Sequence, residues 1–547
     1  MESARKFSSF DRAHSDPAGG TRQGAWCRKS MVVLWAVVVL AGCAPHPQAT
    51  TIAPDNTEFE EVFSRAYEGV YDKYIEPLDA SDIAVRGIKG LSDLDPDWTA
   101  GRDGPALRVS LGGEPVGLLA FPAHDDVRGW ADVTSHAIAL GREASLRIRD
   151  ADSEAIYRAV LRRALAPLDP HTRYVGLRSA RDYRAQREGF GGIGIRLNFD
   201  GNEPRVISIL HDTPAEASAL KAGDTITHID SDPVHGLPRR EIIWRLRGEP
   251  GSPVRIRAIR KIASNPFEVV LRRALIVSPT VHLRRKGGLA VISISGFNQS
   301  TFRDLERILK VSVADAEPAR GIVLDLRGNP GGLLDQAVAV ADAFLAKGRI
   351  VSTRGRHPDS FQLFNATGRE LAAGLPMVVL INGQSASAAE IVAAALQDRG
   401  RAVVVGSTSY GKGTVQNITR LPNDGELILT WARFHAPSGY ALDRLGVMPN
   451  ICTSPPWNPD VDSAATLEEK VVAATAVLSV WRNHLAADDA EAESLRTKCP
   501  PRAEISELDL KAAERILSDT TLYAQALGAI TPSVARSGGA GAVGVHH

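Results

Sequence analysis

Between residues 288 and 406 the chain alternates short, almost wholly apolar runs with stretches of helical periodicity. "GLAVISISGF" (288–297) precedes a helical pattern at 301–314, and "GIVLDLR" (321–327) leads through "GNPGG" into another at 334–345. "PMVVLING" (376–383) then passes through "QSAS" into "AAEIVAAALQD" (388–398), and "AVVVG" (402–406) follows. Runs this short and this rich in valine and isoleucine are strands buried on both faces, and helices between them make the strands parallel. The pattern predicts a parallel-rich α/β layer whose ligands bind at the carboxyl ends of its strands. That layer is part of a larger whole, because 547 residues exceed one hydrophobic core and imply three or four domains.

The N-terminus has a different character. Arg28 and Lys29 precede "MVVLWAVVVLAG" (31–42), an apolar stretch too short to span a bilayer comfortably. It ends in "LAGC" (40–43), which resembles the lipobox of bacterial lipoproteins and implies lipidation of Cys43. Residues 1–43 are then a lipoprotein-type signal peptide, and Pro-, Ala- and Thr-rich 44–58 is a tether. The expected address is the periplasmic face of a bacterial membrane, lipid-anchored, or the periplasm. With 64 basic and 64 acidic residues the chain lacks the basic excess of a nucleic-acid binder.

From Phe59 to about 186 the periodicity is mostly helical, including "SEAIYRAVLRRAL" (153–165), with a strand-rich insert expected near 105–150. Residues 187–278 differ. "GFGGIGIRL" (189–197), "AGDTITHID" (222–230) and "RLRGEPGSPVRIRAIR" (245–260) predict a small mixed barrel with one short Ala-rich helix near 214–220. This unit resembles a PDZ domain. The resemblance implies that Phe190, Gly191, Gly192, Ile193 and Gly194 hold a peptide's terminal carboxylate while the peptide adds to the sheet edge. Residues 461–530 read as a helical C-terminal segment, and 531–547 as a disordered Gly/Ala/Ser tail.

The chemistry turns on Lys412 in "GSTSYGKGTVQ" (406–416). A phosphate-binding P-loop fails, since Gly413 stands where a hydroxyl should follow the lysine and "TVQNITRL" (414–421) reads as a strand. A penicillin-binding type of site fails too, because neither K-T-G nor K-S-G occurs and "SALK" (218–221) lies in the small barrel. The remaining reading pairs Lys412 with Ser385 or Ser387, at a strand tip just before a helix. A hydroxyl there is exposed, and the next N–H is free to stabilise an oxyanion. No G-x-S-x-G occurs, and His435 is expected in a proline-flanked turn, so lysine is the economical base.

"DLRGNPGGLL" (325–334), "INGQSASAAEIVAAALQDRGRAVVVG" (381–406), "SYGKGTVQ" (409–416) and "LDPHTRY" (168–174) resemble the carboxyl-terminal processing, or tail-specific, serine peptidases over roughly residues 150–455. The family spacing sets the nucleophile 25 positions before the lysine and a glutamine four after it, which selects Ser387, Lys412 and Gln416. The resemblance further implies oxyanion N–H groups from Gly332 or Gly331 with Ala388, and makes Asp398 a motif acid. Asp398 sits near a helix C-terminus and reads equally as a structural ion pair with Arg399 or Arg401. The chain departs from the family at "PSGYALDRLG" (437–446), which lacks the usual basic residue.

The fold class that follows is multidomain α/β. It comprises a helical N-terminal region (59–186), a PDZ-like domain (187–278), an α/β peptidase domain with a Ser/Lys dyad (279–460) and the helical C-terminal segment. The implied activity is cleavage of protein or peptide substrates recognised by their C-termini, with no cofactor, no metal and no nucleic acid. Its further partners are the membrane, through the lipid, and an activating adaptor or a second copy of the chain. The alternative is a PDZ scaffold with an inactive peptidase domain. After export, Cys27 leaves with the signal peptide and lipid takes Cys43; the remaining pair, Cys452 and Cys499, reads as one disulfide.

Overall fold

The structure, a computed structural model, describes residues 57–201, 203–260, 265–314, 317–372, 374–454, 464–483 and 489–528. The signal segment with Cys43, the tether up to residue 56 and the 531–547 tail lie outside the described residues. No described helix is long and apolar enough to cross a membrane.

The predicted α/β layer is a six-stranded sheet in the order Val281–Lys286, Leu289–Ile294, Gly321–Asp325, Met377–Ile381, Val403–Gly406, Ile451–Cys452. Five strands run parallel, while Val281–Lys286 is antiparallel at the edge. The exception has a local cause. Gly287 and Gly288, both at positive φ (56° and 77°), make the two-residue turn that a tight hairpin requires.

The strands Leu289–Ile294, Gly321–Asp325, Met377–Ile381 and Val403–Gly406 carry apolar side chains on both faces, and each parity has its own cover. Ile322, Leu324, Val379, Ile381 and Val404 pack against the helices Leu334–Asp342 and Ala388–Asp398. Val323, Val378, Leu380, Val403 and Val405 pack instead against Leu467, Leu510, Ala513, Ile516 and Leu522 of the C-terminal helices. The helical C-terminal segment therefore covers the second face of the sheet.

A second sheet holds Gln362–Asn365, Arg349–Arg354, Glu426–His435 and Thr414–Arg420, with Arg173–Val175 added alongside Glu426–Ile428. His435 thus ends a strand, paired with Ser352, rather than sitting in a turn. Leu421, Leu427 and Leu429 of this sheet enter the aromatic core of the N-terminal region, beside Phe63, Tyr67, Trp98 and Tyr157. The insert there is a three-stranded meander at Trp98–Asp103, Ala106–Leu111 and Glu114–Ala120, and 127–150 is helical rather than strand-rich.

The small β domain is entered by Phe190–Gly192 and left by Ala274–Ile276, which pair antiparallel as a two-stranded ribbon. Its sheet runs Pro266–Arg272, Pro253–Ile259, Thr225–Ile229, Glu203–Ile209, Ile195–Asp200, leaving Ile195–Asp200 at an edge. The segment 213–219 is a run of turns, not the expected helix; the helix of this domain is Arg239–Leu246. Pro214 and a serine that bonds its own turn explain the difference, since Ser218 Oγ donates to Ala215 O at 2.7 Å.

Cys452 and Cys499 are joined in a disulfide, with Cα atoms 5.8 Å apart. From Cys499 the chain crosses the carboxyl ends of the central strands. Thr408 Oγ1 donates to Cys499 O (2.6 Å), Gly383 N–H to Arg502 O (2.7 Å) and Asn382 Nδ2 to Ala503 O (2.9 Å). Asp509, fully buried, then accepts from Arg327 (3.0 Å) and Arg502 (2.7 Å). Cross-linking residues 47 apart limits the unfolded chain, by about 4 kcal/mol on the chain-entropy model. Cys499→Ser is therefore expected to lower the unfolding free energy measured in urea by a large part of that amount without changing far-UV circular dichroism; an unchanged free energy would show that the cross-link adds no stability.

Candidate active site

The turn between the strand Met377–Ile381 and the helix Ala388–Asp398 separates the two candidate serines. Ser385 is fully buried, accepts from Asn382 N–H (2.9 Å) and donates to Leu326 O (2.8 Å). It closes the turn and is not available. Ser387 is half-buried at the helix N-terminus with φ 55° and ψ −114°, a left-handed conformation that costs a non-glycine residue about 1–3 kcal/mol. Such strain persists only where neighbours hold it.

The neighbour is Glu390, fully buried one turn into the same helix. Its Oε2 accepts the N–H groups of Ser387 (2.7 Å) and Lys412 (2.9 Å), and its Oε1 accepts Gly411 N–H (2.6 Å) and Ser409 Oγ (2.5 Å). Burial raises the pKa of this carboxyl, and the four hydrogen bonds oppose the rise. One carboxylate thus ties the serine turn to the lysine loop. The motifs did not single out Glu390, although S-x-x-E at 387–390 is the sequence form of a capping box.

The lysine loop is flanked by glycines for a steric reason. A Cβ on Gly413 would lie 1.8 Å from Asp443 N, and one on Gly411, at φ 91°, 3.0 Å from Arg444 O. The divergent turn 437–446 therefore supplies the backbone that boxes Lys412 in. Burial, reinforced by Arg173, lowers the pKa of the ammonium, against the pull of Glu390 and Asp169. His171 faces it, and burial followed by the Lys412 charge lowers the imidazole's own pKa. No hydrogen bond joins Ser387 Oγ to Lys412 Nζ in this structure. Gln416 lies two residues beyond Thr414 on the following strand, and its Nε2 donates to Thr414 Oγ1 (3.2 Å) and Thr430 Oγ1 (2.9 Å).

The glycine-rich turn after Asp325 meets Ser387 from the other side. A Cβ on Gly331 would sit 2.8 Å from the Ser387 Cβ and 3.1 Å from Ala388 N; one on Gly332 would strike Phe297 O at 2.1 Å. Gly331 N–H, however, donates to Asn329 Oδ1 at 2.9 Å, so it is not available as an oxyanion donor here. Among the described residues the N–H groups of Gly332 and Ala388 have no acceptor. A cleft of about 520 Å³ runs from Gly331 and Gly332 past Phe297 and Ser278 to Phe190 and Arg247 at the base of the small β domain.

In that domain, Gly191 and Gly192 belong to the entry ribbon, where Gly191 O accepts Gly248 N–H at 3.1 Å. Phe190 lies under the Arg247 guanidinium, 4.2 Å from the ring centre. Ile193 is a core residue, yet its N–H and that of Gly194 have no acceptor among the described residues. These two donors open onto the edge strand Ile195–Asp200.

Asp398 is not gathered to this site. It pairs with Arg482 (3.0 Å) and accepts from Ser438 N–H (2.9 Å) and Oγ (2.6 Å), so its role is to fasten the helix end to the 436–440 turn. Neither Arg399 nor Arg401 is its partner; they bind Arg349 O and Phe344 O. Among the described residues only His211, Asp212 and Glu216, exposed on the small β domain, lie close enough to share a metal, and none of them touches the residues around Ser387.

A model of Peptidase family S41 matches residues 288–453, and a PDZ domain model matches residues 191–271. A carboxy-terminal-processing protease of Bartonella bacilliformis is 40% identical over 308 residues, covering 56% of this chain and 71% of that protein. A Staphylococcus aureus (strain COL) protein named "Probable CtpA-like serine protease" is 31% identical over 311 residues, covering 56% of this chain and 61% of its own length. Among solved structures, a photosystem II D1 C-terminal processing protease aligns over 79% of this chain and 98% of its own, at 23% identity and a TM-score of 0.37.

The geometry makes Glu390 a stability element as well. Glu390→Ala would leave three buried N–H groups and the Ser409 hydroxyl without their acceptor, an expected loss of at least about 3 kcal/mol in urea unfolding. A loss under about 1 kcal/mol would show that the clamp is slack.

Proposed function

Because the chain belongs to peptidase family S41, with the carboxy-terminal-processing proteases, we propose that it is a serine endopeptidase that cuts protein substrates recognised by their C-terminal tails. The observation that carries this reading is the shared Glu390 oxygen, which holds the backbones of Ser387 and Lys412 together. Ser387 Oγ attacks the scissile carbonyl and its proton passes to neutral Lys412 Nζ. The new oxyanion accepts from Gly332 and Ala388 N–H, the ammonium returns the proton to the leaving amine, and water then hydrolyses the acyl ester. Gln416 supports the amine without adding a negative charge that would raise its pKa. Rotation of the Ser387 hydroxyl and the Lys412 stem brings the pair into contact when substrate enters, as such contacts tighten in the bound state.

Recognition follows from the small β domain. A peptide carboxylate accepts from Ile193 and Gly194 N–H, and the peptide extends the sheet along Ile195–Asp200. The cleft from Phe190 to Gly332 leads toward Ser387. The resemblance of residues 40–43 to a lipobox supports an address on the periplasmic face of a membrane, where an activating adaptor or a second copy of the chain would find it.

Three measurements on purified protein with an unfolded substrate bearing an apolar C-terminus test this. Ser387→Ala and Lys412→Ala are each expected to lower kcat/KM at least about a thousandfold, whereas Ser385→Ala acts on stability first; full activity in Lys412→Ala overturns the dyad. The base must be neutral, so kcat/KM should rise with pH along a limb centred below the ordinary lysine value of 10.5, in the direction in which burial moves Lys412. A limb at or above 10.5 would contradict a buried lysine base. Amidating the substrate C-terminus should weaken binding, because it removes the charge that the Ile193 and Gly194 donors meet; unchanged binding would reduce the domain to a spacer.

A further inference from the structure

We propose that Asp169, in the "LDPHTRY" turn of the N-terminal region, is a positioning residue for the reaction: through Thr430 it holds the Gln416 side chain so that its carbonyl oxygen stays an open acceptor for the Lys412 amine. The inference rests on the Ser387/Lys412 reading above and adds to it a residue from outside the peptidase layer.

The direction of each hydrogen bond follows from chemistry. The Asp169 carboxylate can only accept. Its Oδ1 takes His171 N–H (2.8 Å), Thr172 N–H (3.0 Å) and the Thr430 hydroxyl (3.0 Å), and its Oδ2 takes Thr172 Oγ1 (2.5 Å). Thr430 has one proton and gives it to Asp169, so toward Gln416 it can only accept. Gln416 must therefore present its NH2 to Thr430, at 2.9 Å, and its other amide proton goes to Thr414 Oγ1. The amide cannot invert without leaving a donor facing a donor. What remains is Gln416 Oε1, buried and without a partner. Thr414 and Gln416 share one face of the strand that follows the lysine loop. An orphaned buried acceptor there is the complement required by an amine that must gain a proton during the reaction.

The backbone is built for the same contact. Between Val415 and Gln416 the pairing with the next strand shifts register, so Gln416 faces Thr430 and Trp431 is left over as a bulge. Bulges beside active sites re-aim side chains, and this one sets Gln416 opposite the threonine that reaches Asp169. Thr430 is fixed from its other side as well, its N–H donating to Thr172 Oγ1 at 3.0 Å. Asp169 is also close enough for its charge to be felt at Lys412, together with those of Arg173 and Glu390.

The test is Asp169→Ala in the full chain, assayed with the same peptide substrate. An alanine takes away the acceptor of the Thr430 hydroxyl, which frees the threonine proton for Gln416 and lets the amide invert, turning NH2 toward the lysine. The expected result is a fall in kcat of at least about tenfold with KM unchanged. Removing the Asp169 charge also withdraws part of what holds the proton on Lys412, while Arg173 and Glu390 stay, so the acid limb of kcat/KM should move to lower pH. In a Gln416→Ala background Asp169→Ala should add nothing further to the kcat loss, because that loss acts through the glutamine side chain. Thr430→Val should reproduce the kcat loss and Thr430→Ser should recover most of it, which decides the matter even if Asp169→Ala folds poorly. Wild-type kcat and an unmoved pH limb in Asp169→Ala, or kcat losses that multiply in the Gln416→Ala background, would overturn the relay. Activity surviving in Lys412→Ala would instead overturn the dyad, a separate outcome.

Discussion

A single buried carboxylate organises the site. Glu390 has no access to water, and all four of its hydrogen bonds come from the two segments that must meet: the Ser387 turn, and Ser409 to Lys412. Burying a carboxylate is costly unless it is fully bonded, and here the bonding partners are mostly backbone N–H groups of loops with no ladder of their own. The left-handed Ser387 and the glycine-flanked Lys412 are both conformations that an isolated chain would leave. They persist because releasing either would strip donors from a buried charge. The geometry of the two segments and their local stability therefore rest on the same bonds, which is why strain can be stored at this serine.

The layer beneath depends on covering two faces. The alternation of Val323 and Leu324, or Val378 and Val379, sends equal apolar surface to opposite sides of the sheet. Helices between the strands cover one side; the C-terminal helices, tied by the Cys452–Cys499 cross-link, cover the other. On its way the chain lays Arg502 and Ala503 over Asn382 and Gly383, five and four residues before Ser387. Arg327, on the turn that leads to Gly331, reaches the same strap through Ser506 O and Asp509. The segment that closes the core thus also backs the loops of the site.

The elements legible in the sequence were those whose signal is local. The helix at Ala388–Asp398, the strand after Lys412 and the alternation of strands and helices in the central layer each follow from period and length. Ser387 stood apart from Ser385 by motif spacing alone; the structure adds the reason, because Ser385 is bonded to Leu326 O from the next strand. What escaped was contact between distant segments. Asp398 looked for a basic neighbour in sequence and found Arg482, 84 residues on. Gly331 looked like an oxyanion donor until Asn329 claimed its N–H. The turns at 213–219 misled because an Ala-rich stretch is a helix only if its serine and proline allow it.

The same sheet that holds Thr430 also anchors the small β domain. Glu426, on the same strand as Thr430, is almost wholly buried and accepts from Arg184 (3.0 Å) and Arg187 (2.8 Å), both on the helix Leu177–Glu188. That helix runs directly into Gly189 and the ribbon that carries the small β domain. Removing either arginine would leave a buried acidic group with a poorer set of donors, a loss of several kcal/mol in comparable buried pairs, so the pair holds the root of the domain against the strand. Four residues along that strand, Thr430 meets Asp169 and Gln416. One strand therefore takes its position from the N-terminal region, through Asp169, and from the root of the small β domain, through Glu426. The acceptor offered to Lys412 lies on its neighbour. An amine placed this way answers to contacts outside its own layer, which no reading of the peptidase motifs alone would have required.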